Sequence, residues 1–473
     1  MIWSIAWKNI WRSKIRSLVV IFAVMIGIFS AVMMVGIMQG WINQRVHDAL
    51  HNEISHVQIH NPKFMLNEDI HLTIPDYQKA IDTIKNTPGV KAYSSRVKIF
   101  ALAQSDWAST GFSLNGINPK EEENVTDIHD KIILGDYFKE EEGLPSIVIG
   151  NKIAENLRLL NYEVSDEKVN QLDNKKFKQD IKDSLMNLKG TRYRTEKDFK
   201  LALEQALPKP EFKKEADYLI KYFSFYRLRA KITVTTQNLK GDLVLLAFRV
   251  KGIYKTTDGM FNGTAAFVNE DVLKKELGLG KNDFHEIAIL SDNEEKGVEL
   301  ADILKAKLPG YSVMSWKEIS PELSYYSEFM NLMDYIFICI FLLALSFGII
   351  NTMLMSVLER VKELGMLMAV GMNKKRVFSM IMLESIFLTL TGAIVGMILS
   401  NIAVTSLGHT GINLSMWAEG LEAIGYASII YPYVPFNIFI GVTLLVILTG
   451  ILSSIWPARK ALRLNPVEAL RTE

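Results

Sequence analysis

The sequence predicts a membrane protein with four transmembrane helices and one large α+β domain outside the membrane. Four apolar stretches, at residues 17–40, 335–358, 377–404 and 436–456, carry this prediction. Each reaches the roughly 20 residues that a helix needs to cross a bilayer. Almost three hundred residues of mixed, charged composition separate the first stretch from the second. That length is sufficient for a large water-soluble domain.

Basic residues beside the apolar stretches set the predicted orientation. They precede the first stretch, lie between the second and third, and follow the fourth: Lys8, Arg12, Lys14, Arg16, Lys374, Lys375, Arg376, Arg459, Lys460, Arg463 and Arg471. The positive-inside rule places all three regions, including the tail at 457–473, in the cytoplasm. Residues 41–331 and a shorter loop at 405–433 then lie outside. The first stretch is too long for a signal peptide and no small-residue cleavage site follows it, so we interpret it as an uncleaved anchor.

Residues 1–16 predict an amphipathic helix in the inner headgroup layer. Trp3, Trp7 and Trp11 recur every four residues and share one helical face. Basic side chains such as Arg12 occupy another face. Tryptophan and arginine are typical anchors at this interface, which favours contact with membrane lipids. A plain cytoplasmic segment leading into the anchor is the alternative.

The outer domain shows two similar ends and a different middle. Alternating strands and amphipathic helices at 53–117 and 263–316 predict two strand–helix–strand units, and thus an α+β sandwich closed by both ends of the domain. Residues 118–262 predict an inserted, β-rich part that contains a hairpin. Within it, the charged stretch 165–227 has helical periodicity and predicts a helical arm. Disorder is the alternative there, although its aromatic residues favour packing.

The sequence carries no recognisable catalytic or nucleotide-binding motif. The segment Gly278–Asn282 lacks the spacing and the Ser/Thr of a phosphate-binding loop and is better interpreted as a helix end. No spacing indicates a catalytic triad or a carboxylate pair. We therefore expect a non-enzymatic chain without a bound cofactor; if it does driven work, the motor is another chain. The basic residues are not gathered on a soluble segment, so no nucleic-acid surface is expected.

Metal binding and disulfides are also not expected. His47 and His51 have a helical spacing compatible with a metal, but neither a cysteine nor a well-placed carboxylate completes the set. The only cysteine, Cys339, lies in the second apolar stretch, so the outer domain depends on its own core.

The strongest motif, within residues 359–376, joins the second and third apolar stretches. It begins with interleaved charges, turns apolar and is closed by Gly371. This pattern predicts a cytoplasmic helix with one polar and one apolar face, suited to docking on a partner or on the membrane surface. A helix joined to two membrane helices is also well placed to pass motion to the membrane.

Polar and small residues inside the apolar stretches predict contacts between helices. Glu384 lies about two turns into the third stretch, where an acid marks either a functional site or a paired structural charge. Gly36 with Gly40, and Gly392 with Gly396, form small-residue pairs at the spacing that permits close helix packing. Such pairs are common in membrane helices.

Four segments together resemble one family. Residues 359–372 resemble the E-R-x-x-E-[IL]-G-x-x-x-A-x-G signature of the FtsX-like permease domain, and residues 457–471 resemble its PARRASRLDPVEALR ending. Residues 6–12 are similar to its AWRNLWR opening, and residues 55–60 to its GHVQIH strand. The resemblance points to ABC transporter permeases of the MacB/LolC/LolE class. It assigns ATPase coupling to Glu359, Arg360, Lys362, Glu363, Gly365, Met366, Met368, Ala369 and Gly371. The arm at 165–227 has no counterpart in that pattern.

The resemblance also implies an architecture and partners. It implies a ferredoxin-like part with an inserted β-rich part in the periplasm, a bacterial inner membrane, a separate ABC ATPase dimer and a second permease subunit. Within the class, the lipoprotein-releasing LolC/LolE type is favoured, because no ATPase is fused and because the first and second stretches are rich in methionine, which packs adaptably. A lipoprotein substrate and a periplasmic carrier follow from this. The alternatives are a MacB-like efflux permease with a separate ATPase and an FtsX-like regulator of cell-wall hydrolases.

Overall fold

The structure is a computed structural model that describes residues 3, 7, 10–12, 14–138, 143–172 and 177–462. It divides into two compact units. The membrane unit comprises Met1–Val46, Glu322–Ala418 and Ala427–Glu473, and the outer unit comprises His47–Pro321 and Glu419–Tyr426. The predicted tail beyond residue 462 lies outside the described residues.

Helices and strands are numbered here in chain order. The helices are α1 (Lys14–Ala49), α2 (Phe64–Asn67), α3 (Tyr77–Lys85), α4 (Pro119–Glu122), α5 (Asn151–Asn156), α6 (Asp166–Gln171), α7 (Gln179–Met186), α8 (Glu196–Ala206), α9 (Lys209–Phe223), α10 (Gly259–Thr264), α11 (Glu270–Leu277), α12 (Glu294–Lys307), α13 (Trp316–Ile319), α14 (Pro321–Glu359), α15 (Val361–Ala369), α16 (Lys374–Thr410), α17 (Ala418–Ala423) and α18 (Phe436–Leu462). The strands are β1 (Val57–His60), β2 (Ala92–Gln104), β3 (Ser109–Ile117), β4 (Ile132–Gly135), β5 (Ser146–Gly150), β6 (Leu160–Glu163), β7 (Arg192–Tyr193), β8 (Ser224–Tyr226), β9 (Lys231–Gln237), β10 (Leu243–Tyr254), β11 (Ala265–Asn269), β12 (Glu286–Leu290), β13 (Ser312–Ser315), β14 (Ile412–Asn413) and β15 (Ile429–Ile430).

Four helices of the described chain are long and apolar enough to cross a membrane: α1, α14, α16 and α18. They contain the four predicted stretches, and the predicted fold class is confirmed. A helix is the natural form of these segments, because hydrocarbon offers no partner for backbone polar groups outside the segment itself. With 39 residues, α14 has a length of about 58 Å, well beyond the roughly 30 Å of hydrocarbon.

Two predicted connections differ from the structure. The connection between the second and third spans contains a helix, α15, only over Val361–Ala369, and α16 already begins at Lys374. The outer loop predicted at 405–433 is shorter, because α16 continues to Thr410 and ends at Gly411, whose φ of +74° lies in the left-handed region. The paired strands β14 and β15 and the helix α17 fill the remainder.

One part of the outer unit is a four-stranded antiparallel sheet in the order β13-β1-β12-β2. Helix α3 joins β1 to β2, and helix α12 joins β12 to β13. This is the split strand–helix–strand order of a ferredoxin-like fold. Ile59 of β1 lies opposite Ile287 of β12, and both are fully buried.

The strands that follow form a closed ring of six. Each of β2, β3, β11, β5, β10 and β9 pairs with the next, and β9 pairs back with β2. The predicted division at 117/118 and 262/263 is therefore corrected, because β3 and β11 belong to this ring and not to the ferredoxin-like sheet. The reason is the length of β2, whose first residues pair with β12 while residues 97–104 pair with β3.

The predicted arm at 165–227 is a folded subdomain. Its described residues form the helices α6–α9, and β6 pairs with β7 and β8 in a separate small sheet. Phe199 lies at the centre of its core, 5.4 Å from the ring of Tyr162 and 6.2 Å from that of Phe223. The arm therefore has its own apolar core, and its short strands were absent from the helical prediction.

A buried charge cluster joins three segments of the outer unit. The guanidinium of Arg96 donates to Glu122 at 2.6 Å and to Glu286 at 2.7 Å, and Lys98 Nζ lies 3.6 Å from Glu286. Burial by itself raises the pKa of Glu286, but Lys98, Arg96 and His60 lower it to about 2. Glu286 is therefore ionised inside the folded unit.

Candidate functional site: the connection between two membrane helices

Helix α15 lies between two residues at which the helical conformation is interrupted. Arg360 follows the last residue of α14, has non-helical angles of φ −102° and ψ 15°, and is the N-terminal cap residue of α15. At the other end, Gly371 has a φ of +100°, a conformation that side-chain-bearing residues avoid. Asn373 then caps α16, because its side chain accepts a hydrogen bond from the backbone N–H of Lys375 at 3.0 Å. The short helix is thus delimited on both sides.

The two faces of α15 have different environments. Leu364 and Gly365 are buried, and Leu364 belongs to the apolar core of the membrane unit. On the opposite face, Met366 is 57% exposed, and Val370, which caps the helix, is 84% exposed. Lys362 is also exposed on this segment. An apolar face with a basic rim on a short connection is typical of a docking surface.

A chain of four alternating charges links α15 to its neighbours. Glu363 lies 3.0 Å from Arg12 and 3.2 Å from Arg360. Arg360 also donates from one nitrogen to both oxygens of Glu384, at 3.0 and 3.3 Å. We call Arg12, Glu363, Arg360 and Glu384 the charge chain.

Burial increases steadily along the charge chain. The exposed fraction of the side chain falls from 70% at Arg12 to 41% at Glu363, 19% at Arg360 and 9% at Glu384. The acid predicted inside the third span is therefore paired with Arg360 of the connection. A buried carboxylate is tolerated when a cation with good geometry compensates it, so Glu384 and Arg360 hold α16 and α15 together.

The other coupling residues suggested by the resemblance occupy mixed positions. Glu359, Ala369 and Gly371 are exposed. Met368 is partly buried and packs against the core of the membrane unit. The signature therefore contributes both to the exposed face and to the buried face of the connection.

The predicted interface tryptophans contact one another and α16. The rings of Trp3 and Trp7 each meet Phe387 edge to face, with centroids 5.6 Å apart. Trp7 and Trp11 form a further edge-to-face pair at 6.1 Å. Phe387 is a contact residue that the sequence did not single out, because one more phenylalanine in an apolar span carries no distinguishing signal.

Both glycine pairs lie at close contacts within the membrane unit. A Cβ on Gly392 would meet the backbone oxygen of Ile21 at 2.8 Å, and one on Gly396 would meet that of Met25 at 3.1 Å. Helix α16 therefore packs closely on α1 at these two positions.

The other glycine pair, on α1, lies against the segment that leads into α18. A Cβ on Gly36 would meet the side chain of Val434 at 2.9 Å, and one on Gly40 would collide with the backbone oxygen of Tyr431.

The sequence analysis did not predict a polar contact that the structure shows between α1 and α14. The side-chain amide of Gln39 donates to Asp334 Oδ2 at 2.7 Å and to Asn331 Oδ1 at 2.8 Å. The other oxygen of Asp334 is buried and has no hydrogen-bond partner among the residues that the structure describes. Asp334 immediately precedes the predicted span, and an acid at that position was the available signal.

The structure also changes the expectation for His47 and His51. Asp127, from a distant part of the chain, brings a carboxylate to this pair, and candidate ligand atoms of the three residues lie within 4.8 Å of one another. The expectation that no carboxylate completes the set is therefore corrected, because a contact across this sequence separation is not visible in local spacing.

Two family models match this chain. The FtsX-like permease C-terminal model matches residues 335–466, and the MacB-like periplasmic core domain model matches residues 17–177. Together they span more than half of the chain and include both the connection at α15 and the first part of the outer unit.

Curated relatives agree with the family models. An uncharacterized ABC transporter permease of Methanocaldococcus jannaschii is 31% identical over 242 residues, which are 49% of this chain and 58% of that protein. The macrolide export ATP-binding/permease protein MacB of Chlorobium luteolum is 36% identical over 126 residues, 27% of this chain and 16% of that protein. The chain thus spans little more than half, or less, of these relatives.

One solved structure is similar in part. The periplasmic region of MacB from Actinobacillus actinomycetemcomitans aligns with 60% of this chain and 97% of its own length, at 12% identity and a TM-score of 0.30.

Proposed function

Because this chain belongs to the FtsX-like permease family of ABC transporter permeases and carries a MacB-like periplasmic core domain, we propose that it transmits ATP-driven motion to its outer domain. The ATP is hydrolysed by a separate ATPase chain. The charge chain is the observation that carries this proposal. It connects α15 to α16 through Arg360 and Glu384 and to the N-terminal segment through Arg12. A displacement of α15 therefore acts on both neighbours.

The exposed face of α15 supports ATPase docking. Met366 and the cap residue Val370 are four positions apart and therefore share one face. Both are more than half exposed, while Leu364 anchors the other face in the core. A partner that covers this face gains apolar burial and reaches the rim at Lys362.

The outer unit contains a second element of the proposed transmission. Residues Glu419–Tyr426, from the loop between α16 and α18, belong to that unit. Glu422 lies 2.9 Å from Lys255, and Glu419 pairs with Lys221 of α9. Because the loop is continuous with α16, movement of this helix has a covalent route to the outer domain.

The partners follow from this mechanism. We propose a pair of permease subunits in a bacterial inner membrane, with an ATPase dimer on the cytoplasmic side and the outer domain in the periplasm. ATP and Mg²⁺ are bound by the ATPase, and this chain supplies no catalytic group. The positive-inside distribution of Lys374, Lys375 and Arg376 supports the orientation.

Lipoproteins are the cargo that we propose, released from the inner membrane to a periplasmic carrier. The large outer domain and the methionine-rich first and second spans support a cargo with acyl chains, since methionine packs adaptably. Efflux of a small apolar compound fits the comparisons about equally, because the name of the Chlorobium luteolum relative includes macrolide export.

Transport by variants of α15 tests the coupling. In Glu363→Lys the new cation faces Arg12 and Arg360, and in Gly365→Trp a bulky ring replaces a buried glycine. We expect both variants to insert in the membrane and to lose transport by roughly tenfold or more, a coupling loss above about 1.4 kcal/mol. Glu322→Lys, a charge reversal at the exposed start of α14, is the matched control. Transport equal to the control in both variants would contradict the proposed role of α15.

Cross-linking tests the docking surface. With Cys339→Ser as background, Met366→Cys places a single thiol on the exposed face of α15. We expect a cross-link to the ATPase from position 366 and none from a Leu332→Cys control, which is exposed on α14. Equal cross-linking from both positions would argue against docking at α15.

Depletion of the chain distinguishes the two cargoes. If lipoproteins are the cargo, depletion retains them in the inner membrane while sensitivity to macrolides is unchanged. Correct lipoprotein sorting together with increased macrolide sensitivity would support efflux instead. Fractionation of the two membranes and growth in macrolide provide the measurements.

A further inference from the structure

We propose that His47, His51 and Asp127 form a binding site for a divalent transition-metal ion, with Zn²⁺ as the expected ion. His47 and His51 lie four residues apart, one helical turn, and their ring centroids are 4.2 Å apart. The candidate ligand atoms of all three residues lie within 4.8 Å of one another. All three belong to the outer unit.

The distances are close to those of a bound site. With Zn–N and Zn–O bonds of about 2.1 Å, ligand atoms in a tetrahedral site lie roughly 3.4 Å apart. Nδ1 of His51 and Oδ2 of Asp127 are 3.7 Å apart. Because His47 is exposed and can change its side-chain rotamer, it can close the remaining gap, which is at most roughly 1.4 Å between 4.8 Å and the tetrahedral separation.

The backbone holds Asp127 in position without help from its side chain. The end of α1 continues into a π-helical turn at Leu50–Ile54, where the N–H of Ser55 donates to the oxygen of Leu50 at 3.0 Å. This wider turn leaves the backbone carbonyl oxygen of His51 available. That oxygen accepts a hydrogen bond from the backbone N–H of Asp127 at 2.7 Å. The main chain of Asp127 is thus held beside His51 independently of its carboxylate. Such π-turns recur at functional sites.

The donor set selects the class of ion. Two imidazole nitrogens and one carboxylate oxygen suit Zn²⁺ and its neighbours Co²⁺, Ni²⁺ and Cu²⁺, whereas Ca²⁺ and Mg²⁺ prefer sites made of oxygen ligands. Three protein ligands leave a fourth position for water or an exogenous group. The bound ion would join the end of α1 to the segment that follows α4.

The site is accessible to ions from solution. His47 lies seven residues, or about 10 Å, beyond the predicted apolar stretch that ends at residue 40. Its side chain is exposed, and those of His51 and Asp127 are partly exposed. His56, by contrast, is buried behind His51 with ring centroids 5.9 Å apart, and its Nδ1 accepts from the backbone of Ser291 at 3.4 Å.

Metal titration of the purified full-length protein tests the site. The protein carries an affinity tag without histidine, and the probes are Co²⁺, followed by its visible absorption, and Zn²⁺, which displaces it. We expect the wild-type protein to bind one ion per chain at this site. His47→Gln and Asp127→Asn should each weaken binding by more than about tenfold, since even loss of an outer-shell partner costs 10–100-fold.

His71→Gln is the matched control. His71 is an exposed histidine of the same unit and lies 2.8 Å from Asp69. Among the described residues, this pair is not part of a group of three possible metal ligands. Its removal should leave affinity and stoichiometry unchanged. Absence of Co²⁺ binding in the wild-type protein, or equal binding by wild type and His47→Gln, would overturn the proposal.

Hydrogen exchange provides a second measurement that separates loss of the site from loss of the fold. Zn²⁺ should slow exchange at residues 47–54 and 123–131 of the wild-type protein and leave these regions unchanged in His47→Gln. Because His47 is exposed, this variant should retain wild-type exchange in β2 and β12. Slowing in both proteins would place the ion elsewhere and contradict the site.

Discussion

Arg360 is the residue on which two carboxylates of the membrane unit converge. It lies within 3.2 Å of Glu363 and 3.0 Å of Glu384, and only the second of these acids is well buried. Removing one partner of a buried ion pair leaves a charge without compensation, whereas removing both can be nearly neutral. The consequence of each substitution therefore depends on which charge remains.

A double-mutant cycle at Arg360 and Glu384 measures this dependence. We expect Arg360→Gln to lower the free energy of unfolding of the membrane unit by about 1.5–3 kcal/mol, because Glu384 then loses its charged hydrogen bonds from Arg360. The double variant with Glu384→Gln should recover part of that loss. Thermal unfolding in detergent provides the measurement, and additive effects of the two substitutions would show that the pair is not coupled.

Glu286 makes the stability of the outer unit dependent on pH. Its pKa in the folded unit is about 2, below the ordinary value of 4.5. The unfolded chain therefore binds more protons in this range, and stability falls as the pH falls. The contribution of Glu286, on the order of a few kcal/mol, is fully present above about pH 4.5 and is lost towards pH 2.

The comparison with Glu286→Gln isolates this contribution. Unfolding is followed at a series of pH values with tryptophan fluorescence. The variant should be less stable than wild type at pH 7, and the difference should shrink between about pH 4.5 and 2. A constant difference across this window would assign the acid sensitivity to other groups.

At the scale of single elements, α16 depends on small residues at its contact with α1. The backbones approach at Gly392 and Gly396 so closely that a side chain would meet backbone atoms. Gly348 on α14 has open space where its Cβ would lie. A glycine on α16 thus has no room for a larger side chain, whereas the glycine on α14 has. Only the tertiary contacts distinguish the two positions.

Leucine substitutions at these positions should differ in effect. Gly396→Leu forces α16 away from α1, and we expect a loss of about 1–3 kcal/mol, typical of overpacking. Gly348→Leu should have a smaller effect, because open space is available. Thermal stability of both variants in the same detergent tests this, and equal losses would mean that the close approach does not determine packing.

At the scale of the whole molecule, the outer unit contains separable apolar cores. The arm has its own cluster around Phe199, distinct from the cluster that includes Phe248 of the strand ring. The strands at which the chain enters and leaves the arm, β6 and β8, are adjacent, because Tyr162 of β6 pairs with Ser224 of β8. The chain thus enters and leaves the arm at neighbouring points, as tolerated insertions commonly do.

Removal of the arm should leave the remaining fold intact. We expect that replacing residues 163–223 by an Asn-Gly turn, which suits a two-residue hairpin and keeps Tyr162 opposite Ser224, preserves the slow hydrogen exchange of β2, β5 and β10. Phe248→Ala, with the arm present, should instead destabilise the ring by about 3–5 kcal/mol. Loss of protection in the ring after removal of the arm would show that the two cores fold as one.

The sequence by itself determined the four spans, their predicted orientation and the separate character of the outer domain. These properties follow from local hydropathy, from charge beside the spans and from the periodicity of strands and helices, all of which can be read within short windows. It also identified residues 359–372 as the most informative segment, because capping glycines and alternating charges are local signals.

Only the tertiary structure decided which distant residues meet. The pairing of Arg360 with Glu384 spans 24 positions, and the approach of Asp127 to His51 spans many more. The double role of β2, shared by the ferredoxin-like sheet and the six-stranded ring, depends on pairing partners that its own sequence does not name. Such contacts depend on the packing of the whole chain, which local propensity and spacing do not specify.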